Sequence, residues 1–171
     1  MRRIYFEEEQ KFNQPRVWIL LVLIFVSISS IVMGSFLLGI GDNTAFSSYE
    51  VIIGRIILVI IFSAILWLMF KMKLIVKVTD EGILYSYPPL IHKEKIISKT
   101  EIENFSIRKY KPIIEYGGYG IRVSRRNSGK AFNVSGKIGM QLYLKNGKKV
   151  LFGTQRAEAF KYAMDKMMGK A

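Results

Sequence analysis

Two uninterrupted apolar blocks, residues 17–40 and 51–70, constrain this chain more than anything else in it. A helix rises about 1.5 Å per residue, so either block is long enough for a hydrocarbon core of roughly 30 Å. At 171 residues the chain has room for a membrane hairpin and one small domain, not for two large cores. The first block follows a polar leader (1–16), outruns a typical signal-peptide apolar region and shows no clear small-residue cleavage pattern. Both blocks are therefore read as retained spans.

The flanking bases set the expected orientation. Arg2, Arg3, Lys11 and Arg16 precede the first block, and Lys71, Lys73 and Lys77 follow the second. The loop between them (41–50) has two acids and no base. The positive-inside rule then predicts a multi-pass protein of the cell (plasma) membrane, with both termini cytoplasmic and the loop outside. Trp18 and Trp67 fall at the ends that this topology brings to the inner interface, where indole rings favour the headgroup layer. Arg55 is the one ionisable residue within a span. About one turn inside the outer end, it can snorkel into the headgroups; the alternative is a functional charge paired with Glu50 or Asp42. Ser30 with Gly34, and Ser35 with Gly39, have the spacing that lets helices approach closely, with the hairpin partner as the expected neighbour and homodimer packing as the alternative.

Charge is distributed as unevenly as hydropathy. Five of the 26 Lys/Arg and five of the 13 Asp/Glu lie in residues 1–70, so the net charge of +13 belongs to the remainder. The pI of about 9.9 raises nucleic-acid binding as an option. Positive-inside bias and lipid proximity account for the charge more simply, no aromatic-plus-basic RNA motif is present, and no nucleic-acid partner is expected. No cysteine is present, which removes disulfides, thiol redox chemistry and cysteine-ligated zinc, and a single histidine (His92) argues against a histidine metal site.

After Phe70 the pattern changes from continuous to alternating. The run 74–79 ends at the turn signal Asp80-Glu81-Gly82, and 83–87 follows as a second strand before Pro88-Pro89 interrupts. Segments 95–98 and 105–110 are shorter strand candidates on either side of 98–101, where Ser or Thr can start one helical turn. Ile121 and Val123, then Phe132 and Val134, then Met140, Leu142 and Leu144 alternate with polar neighbours. Asn146-Gly147 is a hairpin signal joining the last of these to 148–153. At the end, Thr154 is placed as a helix cap, with Glu158 in the first turn and Ala157, Phe160, Met164 and Met167 at helical spacing. Seven or so strands and one amphipathic helix predict a small antiparallel barrel or bent sandwich with the helix plugging an open end.

The motifs Gly117-Gly118-Tyr119-Gly120-Ile121-Arg122, Gly129-Lys130-Ala131-Phe132-Asn133-Val134-Ser135-Gly136, Gly139-Met140-Gln141-Leu142 and Gly153-Thr154-Gln155-Arg156 follow the two spans in that order. In this arrangement the chain resembles the bacterial membrane-anchored proteins with a pleckstrin-homology-like (PH-like) domain, over about residues 72–168. The resemblance implies a PH-like roll or barrel capped by a C-terminal helix. The expected organisation is thus a cytoplasmic segment (1–16), a transmembrane hairpin (17–40 and 51–70 around the loop 41–50) and a mainly β cytoplasmic PH-like domain (71–171). One feature departs from the lipid-binding relatives, which use bases in the first strand-to-strand loop. The matching turn here, Thr79-Asp80-Glu81-Gly82, is acidic, so phosphoinositide recognition is not carried over.

No enzyme constellation emerges. Gly117-Gly118-Tyr119-Gly120 lacks phosphate-loop spacing, and the echo of Ser128-Gly129-Lys130 in Ser135-Gly136-Lys137 reads as two turns around a short strand. A Ser–His pair would depend on His92 with no placed acid, and Glu101 with Glu103 is ordinary surface patterning. No catalytic, cofactor-binding or metal-binding residue is assigned. What remains is charge beside a bilayer, where each nearby base is worth about 1 kcal/mol with anionic lipid. The candidate anionic-lipid contacts are Arg16, Lys71 and Lys73, and a second group of Arg122, Arg125, Arg126 and Lys130, for which general solubility charge is the competing account. The expected function is a noncatalytic membrane protein whose PH-like domain binds a protein partner or its own copy at an anionic inner leaflet. The alternative is an accessory subunit of a transporter or envelope-assembly complex, contacting partners through the hairpin.

Overall fold

The computed structural model describes residues 2–12, 15–37, 48–124 and 128–169. The chain divides into two compact units, one of Met1–Phe12 with Phe70–Ala171, and one of Asn13–Met69. The second unit is helical: α1 (Pro15–Leu37) and α2 (Ser48–Lys71). Their clearest contact is the stack of Phe25 on Phe62, with ring centroids 4.2 Å apart. A methyl group added to Gly34 would meet nothing within 4 Å, so the expected close approach at that glycine is not made, and Gly39 lies outside the described residues. One helix is long and apolar enough to cross a membrane, over Ile52–Lys71; the apolar run of α1 among the described residues is shorter, Trp18–Ile31. The expected pair of spans is thus met at one member. Arg55 stands two turns into α2, and Asp42, one of its two suggested partners, is outside the described residues.

The first unit contains an element that hydrophobic periodicity does not disclose. Residues Ile4–Lys11, read from the sequence as part of a polar leader, form strand β1. It pairs antiparallel with β2 (Lys73–Thr79), from Ile4 opposite Thr79 to Lys11 opposite Lys73. The inward positions of β1 are Phe6, Glu8 and Gln10, so the alternation is real but only one of the three is apolar. The Glu8 carboxylate and the Gln10 amide nitrogen both find partners, whereas Gln10 Oε1 is buried without one among the described residues. Gln10 Nε2 donates to the Gly153 carbonyl at 2.7 Å, and the Glu8 carboxylate accepts from Thr154 Oγ1 at 2.6 Å and from the Gln155 N–H at 2.8 Å. On the outer face Lys77 bridges Glu7 (3.4 Å) and Glu94 (3.2 Å).

Strands β3 (Gly82–Tyr87) and β4 (Ile91–Ser98) complete a four-stranded sheet of order β1-β2-β3-β4. The Pro88-Pro89 interruption is the β3–β4 turn, as its sequence position suggests. A single 3-10 turn, Lys99–Glu101, begins at Ser98, whose N–H donates to Glu101 Oε2 at 2.9 Å, and leads into β5 (Ile102–Lys109). Then come α3 (Pro112–Tyr116), β6 (Gly120–Val123), β7 (Lys130–Asn133), β8 (Ile138–Leu144) and β9 (Lys149–Gly153). The second sheet has the order β5-β8-β9-β7-β6. β8 and β9 form the hairpin expected at Asn146-Gly147, and β7 lies between the two Ser-Gly-Lys turns. β7 runs parallel to β9, so the expected all-antiparallel arrangement fails at one pairing. α4 (Ala157–Met168) follows, with Arg156 in the cap position; the Thr154 hydroxyl instead accepts from the Arg156 N–H while donating to Glu8.

The main core lies between the sheets and α4. Leu74, Val76, Val78, Ile83, Met140 and Leu142 are buried, Phe132 stacks on Phe152 at 5.4 Å, and Phe160 of α4 stacks on Phe6 at 4.8 Å. A smaller core of Tyr110, Tyr116, Ala131 and Leu151 lies on the other face of the second sheet, under α3. Sheet ends align as well. The Phe12 N–H bonds the Met72 carbonyl and the Lys73 N–H the Pro88 carbonyl, so the chain leaves this unit and re-enters it at one end. Gln10 ties that end to Gly153, Thr154 N–H to Ile138, and Tyr110 N–H to Lys137. The end of β5, the start of β8 and the end of β9 therefore lie at this exit end. The turns at 79–82 and 145–148 lie at the other.

Candidate functional site

Of the seven candidate lipid contacts, the five among the described residues sit on five different elements. Arg16 falls in the first turn of α1, and Lys71 is the last residue of α2. Lys73 opens β2 and pairs with Glu9 at 3.2 Å, which offsets its charge. In the second group, Arg125 and Arg126 lie outside the described residues. The register of β6 on β7 sets Arg122 opposite Ala131 and Lys130 opposite Val123, so Arg122 and Lys130 project from opposite faces of one hairpin. Arg122 turns back, its Nε donating to the Tyr119 carbonyl at 2.9 Å, and Lys130 Nζ lies 5.1 Å from the Phe132 ring centroid. A two-residue period separated what adjacency in sequence had suggested together.

The structure assembles a different basic surface around α3. Pro112 occupies the first helical turn, where its missing N–H and fixed φ cost nothing. Gly117 ends the turn at φ 73°, a left-handed conformation, with its N–H on the Ile113 carbonyl and that of Gly118 on Pro112. Beneath, Arg108 of β5 acts as a three-way brace. Its Nε donates to Gln141 Oε1 (3.0 Å), Nη1 to Glu115 Oε2 (2.8 Å) and Nη2 to the Tyr116 hydroxyl (3.0 Å). The Tyr116 hydroxyl in turn donates to the Ser128 carbonyl, and Ser124 Oγ donates to the Glu115 carbonyl. Burial pushes the Tyr110 hydroxyl beside this brace up to about 12.

Above the brace is an open groove of about 740 Å³, lined by Lys109, Lys111, Lys137, Tyr119 and the Ile113-Ile114 pair among others. Ile113 and Ile114 point outward, 74% and 61% exposed. Sequence reasoning placed a strand over 105–110 but assigned no functional residue here. The available signal was Lys109-Tyr110-Lys111-Pro112-Ile113-Ile114: a proline starting a turn and two isoleucines that continue no alternating strand. The lining combines apolar contact with three lysines. Among the described residues no group of three or more His, Asp or Glu stands close enough to hold a metal ion.

The brace is testable. Partial burial pushes the Glu115 carboxyl up, but the Lys111 N–H and the Arg108 guanidinium outweigh it and hold the group below the usual carboxylate range. Glu115→Gln is expected to cost about 1.5–3 kcal/mol at neutral pH, the range for hydrogen bonds to a charged group. A lowered carboxylate contributes stability above its unfolded value, near 4.3, and loses it as pH falls through the folded value. The gap between wild type and variant should therefore narrow as the pH is lowered from 7 toward 3, read as urea midpoints along the series. A gap that is unchanged by pH would mean the contact is not ionic.

No protein-family model, no curated protein and no solved structure matches this chain.

Proposed function

We propose that the chain is a noncatalytic integral membrane protein in which α1 and α2 form an anchoring hairpin and the β unit is a PH-like interaction or self-association module at an anionic inner leaflet. The observation that carries the reading is the placement of the apolar helices inside a β-sheet connection. β1 ends at Lys11, β2 starts at Lys73 opposite it, and α1 and α2 lie between them in the chain. An insertion whose two ends join neighbouring strand ends has the connectivity of a hairpin. The Phe25–Phe62 stack, ten residues after the start of α1 and nine before the end of α2, agrees with antiparallel packing. A four-stranded meander, a second sheet and a closing helix support the PH-like part. With β1 counted, however, the first strand-to-strand connection is the helical insertion itself, and the acidic turn 79–82 is the second.

The test uses the full chain in its membrane. Carbonate washing should leave it in the pellet, protease outside intact cells should leave the β unit whole, and the same protease on inverted vesicles should digest it. Release by carbonate, or digestion from outside, would overturn the proposal.

A further inference from the structure

The α3 corner exposes two large apolar side chains on a rigid support. Ile113 and Ile114 are adjacent on one helical turn that Arg108 fixes from below, and the small core beneath is already filled by Tyr110, Tyr116, Ala131 and Leu151. The pair has no inward destination. Around it stand Lys109, Lys111 and Lys137, and Glu115, the acid of the groove, is turned to Arg108 at 2.8 Å. The rim is therefore cationic around an apolar tip. Its position is also informative. Tyr110 N–H bonds Lys137, Ile138 bonds Thr154, and Gly153 bonds Gln10, one residue before Lys11, so the corner belongs to the end of the β unit where the chain leaves and re-enters. Just one residue, Met72, separates the last residue of α2 from β2 there.

We infer that the α3 corner is a lipid-inserting tip, Ile113 and Ile114 entering the acyl layer of an anionic leaflet while Lys109, Lys111 and Lys137 engage headgroup phosphates. The chemistry of the corner repeats the layering of such a leaflet: apolar at the point, cationic at the collar. A protein partner with an acidic rim would match the charge, but continuity with the exit end favours lipid. This inference rests on the membrane-anchored reading above.

The chain contains no cysteine, which permits a single label. Full-length Ile113→Cys carrying a nitroxide is reconstituted in phosphatidylcholine vesicles with and without phosphatidylglycerol, and collisions with oxygen and with a water-soluble nickel chelate are compared. The expected result is a several-fold shift from nickel toward oxygen when phosphatidylglycerol is present, lost in Lys109→Glu/Lys111→Glu/Lys137→Glu. Equal nickel access in both vesicles overturns the inference; so does shielding from both reagents, which marks a protein contact or a second copy. A reference label at Ile60→Cys in α2 separates the two levels. If Ile60 faces water, the anchored reading itself fails; if Ile60 faces lipid while Ile113 stays in water, the tip alone is refuted.

Discussion

Phe6→Ala is expected to lower the stability of the β unit by about 3–5 kcal/mol, the usual range for deleting a buried phenylalanine ring. Phe6 is buried on the inner face of β1, its ring stacks on Phe160 at 4.8 Å, and the Arg156 guanidinium lies 5.4 Å from its centroid. The substitution opens a cavity between β1 and α4 and weakens an edge strand held by one neighbour. A domain of this size has about 5–15 kcal/mol in all, so the loss is a large fraction of what exists. Both tryptophans lie in the helical unit, which makes tyrosine near-ultraviolet dichroism or pulse proteolysis the better probe of urea unfolding. Glu7→Ala, on the outer face of the same strand, removes an exposed ion pair with Lys77 and should cost about 0–1 kcal/mol. Equal effects of the two substitutions would mean that Ile4–Lys11 is not part of the sheet.

Gly129→Ala should be nearly as damaging, for a different reason. Gly129 has φ 82°, and a Cβ there would lie 2.1 Å from the Lys149 carbonyl oxygen. The left-handed backbone alone costs a non-glycine residue about 1–3 kcal/mol. Relieving the clash must also push the start of β7 away from β9, at the parallel pairing of Lys130 with Val150. The sum should exceed about 3 kcal/mol. Gly136 supplies the control, because it has the same φ of 82° but open space where a Cβ would go. Gly136→Ala should show the backbone cost alone, and the difference in urea midpoint between the variants measures the approach of the two strands. If the two variants unfold together, β7 and β9 are not in contact there.

How far the chain could be read depended on where its side chains find partners. The 3-10 turn at Ser98, the β8–β9 hairpin at Asn146-Gly147 and the Phe160, Met164 and Met167 stripe are local: their chemistry lies within a few residues. β1 escaped because two of its three inward positions are Glu8 and Gln10, whose partners Thr154, Gln155 and Gly153 are more than 140 residues away. Thr154 was misplaced as a cap because the helix starts later: Arg156 holds the cap position, and the Thr154 hydroxyl accepts from the Arg156 N–H while donating to distant Glu8. Arg122 and Lys130 fall on opposite faces because positions in a hairpin alternate, while Lys109, Lys111 and Lys137 came together because Tyr110 N–H bonds the Lys137 carbonyl at the end of the β5–β8 pairing.

By itself the sequence determined that an apolar helix precedes a cationic, strand-rich region closed by an amphipathic helix, because hydropathy and period are properties of short windows. Tertiary structure alone decided that the β unit starts before the apolar helices, that β7 lies parallel to β9, and that two isoleucines stand outward among three lysines. Each of these depends on hydrogen bonds between residues far apart in the chain, and such pairings leave no mark on local pattern.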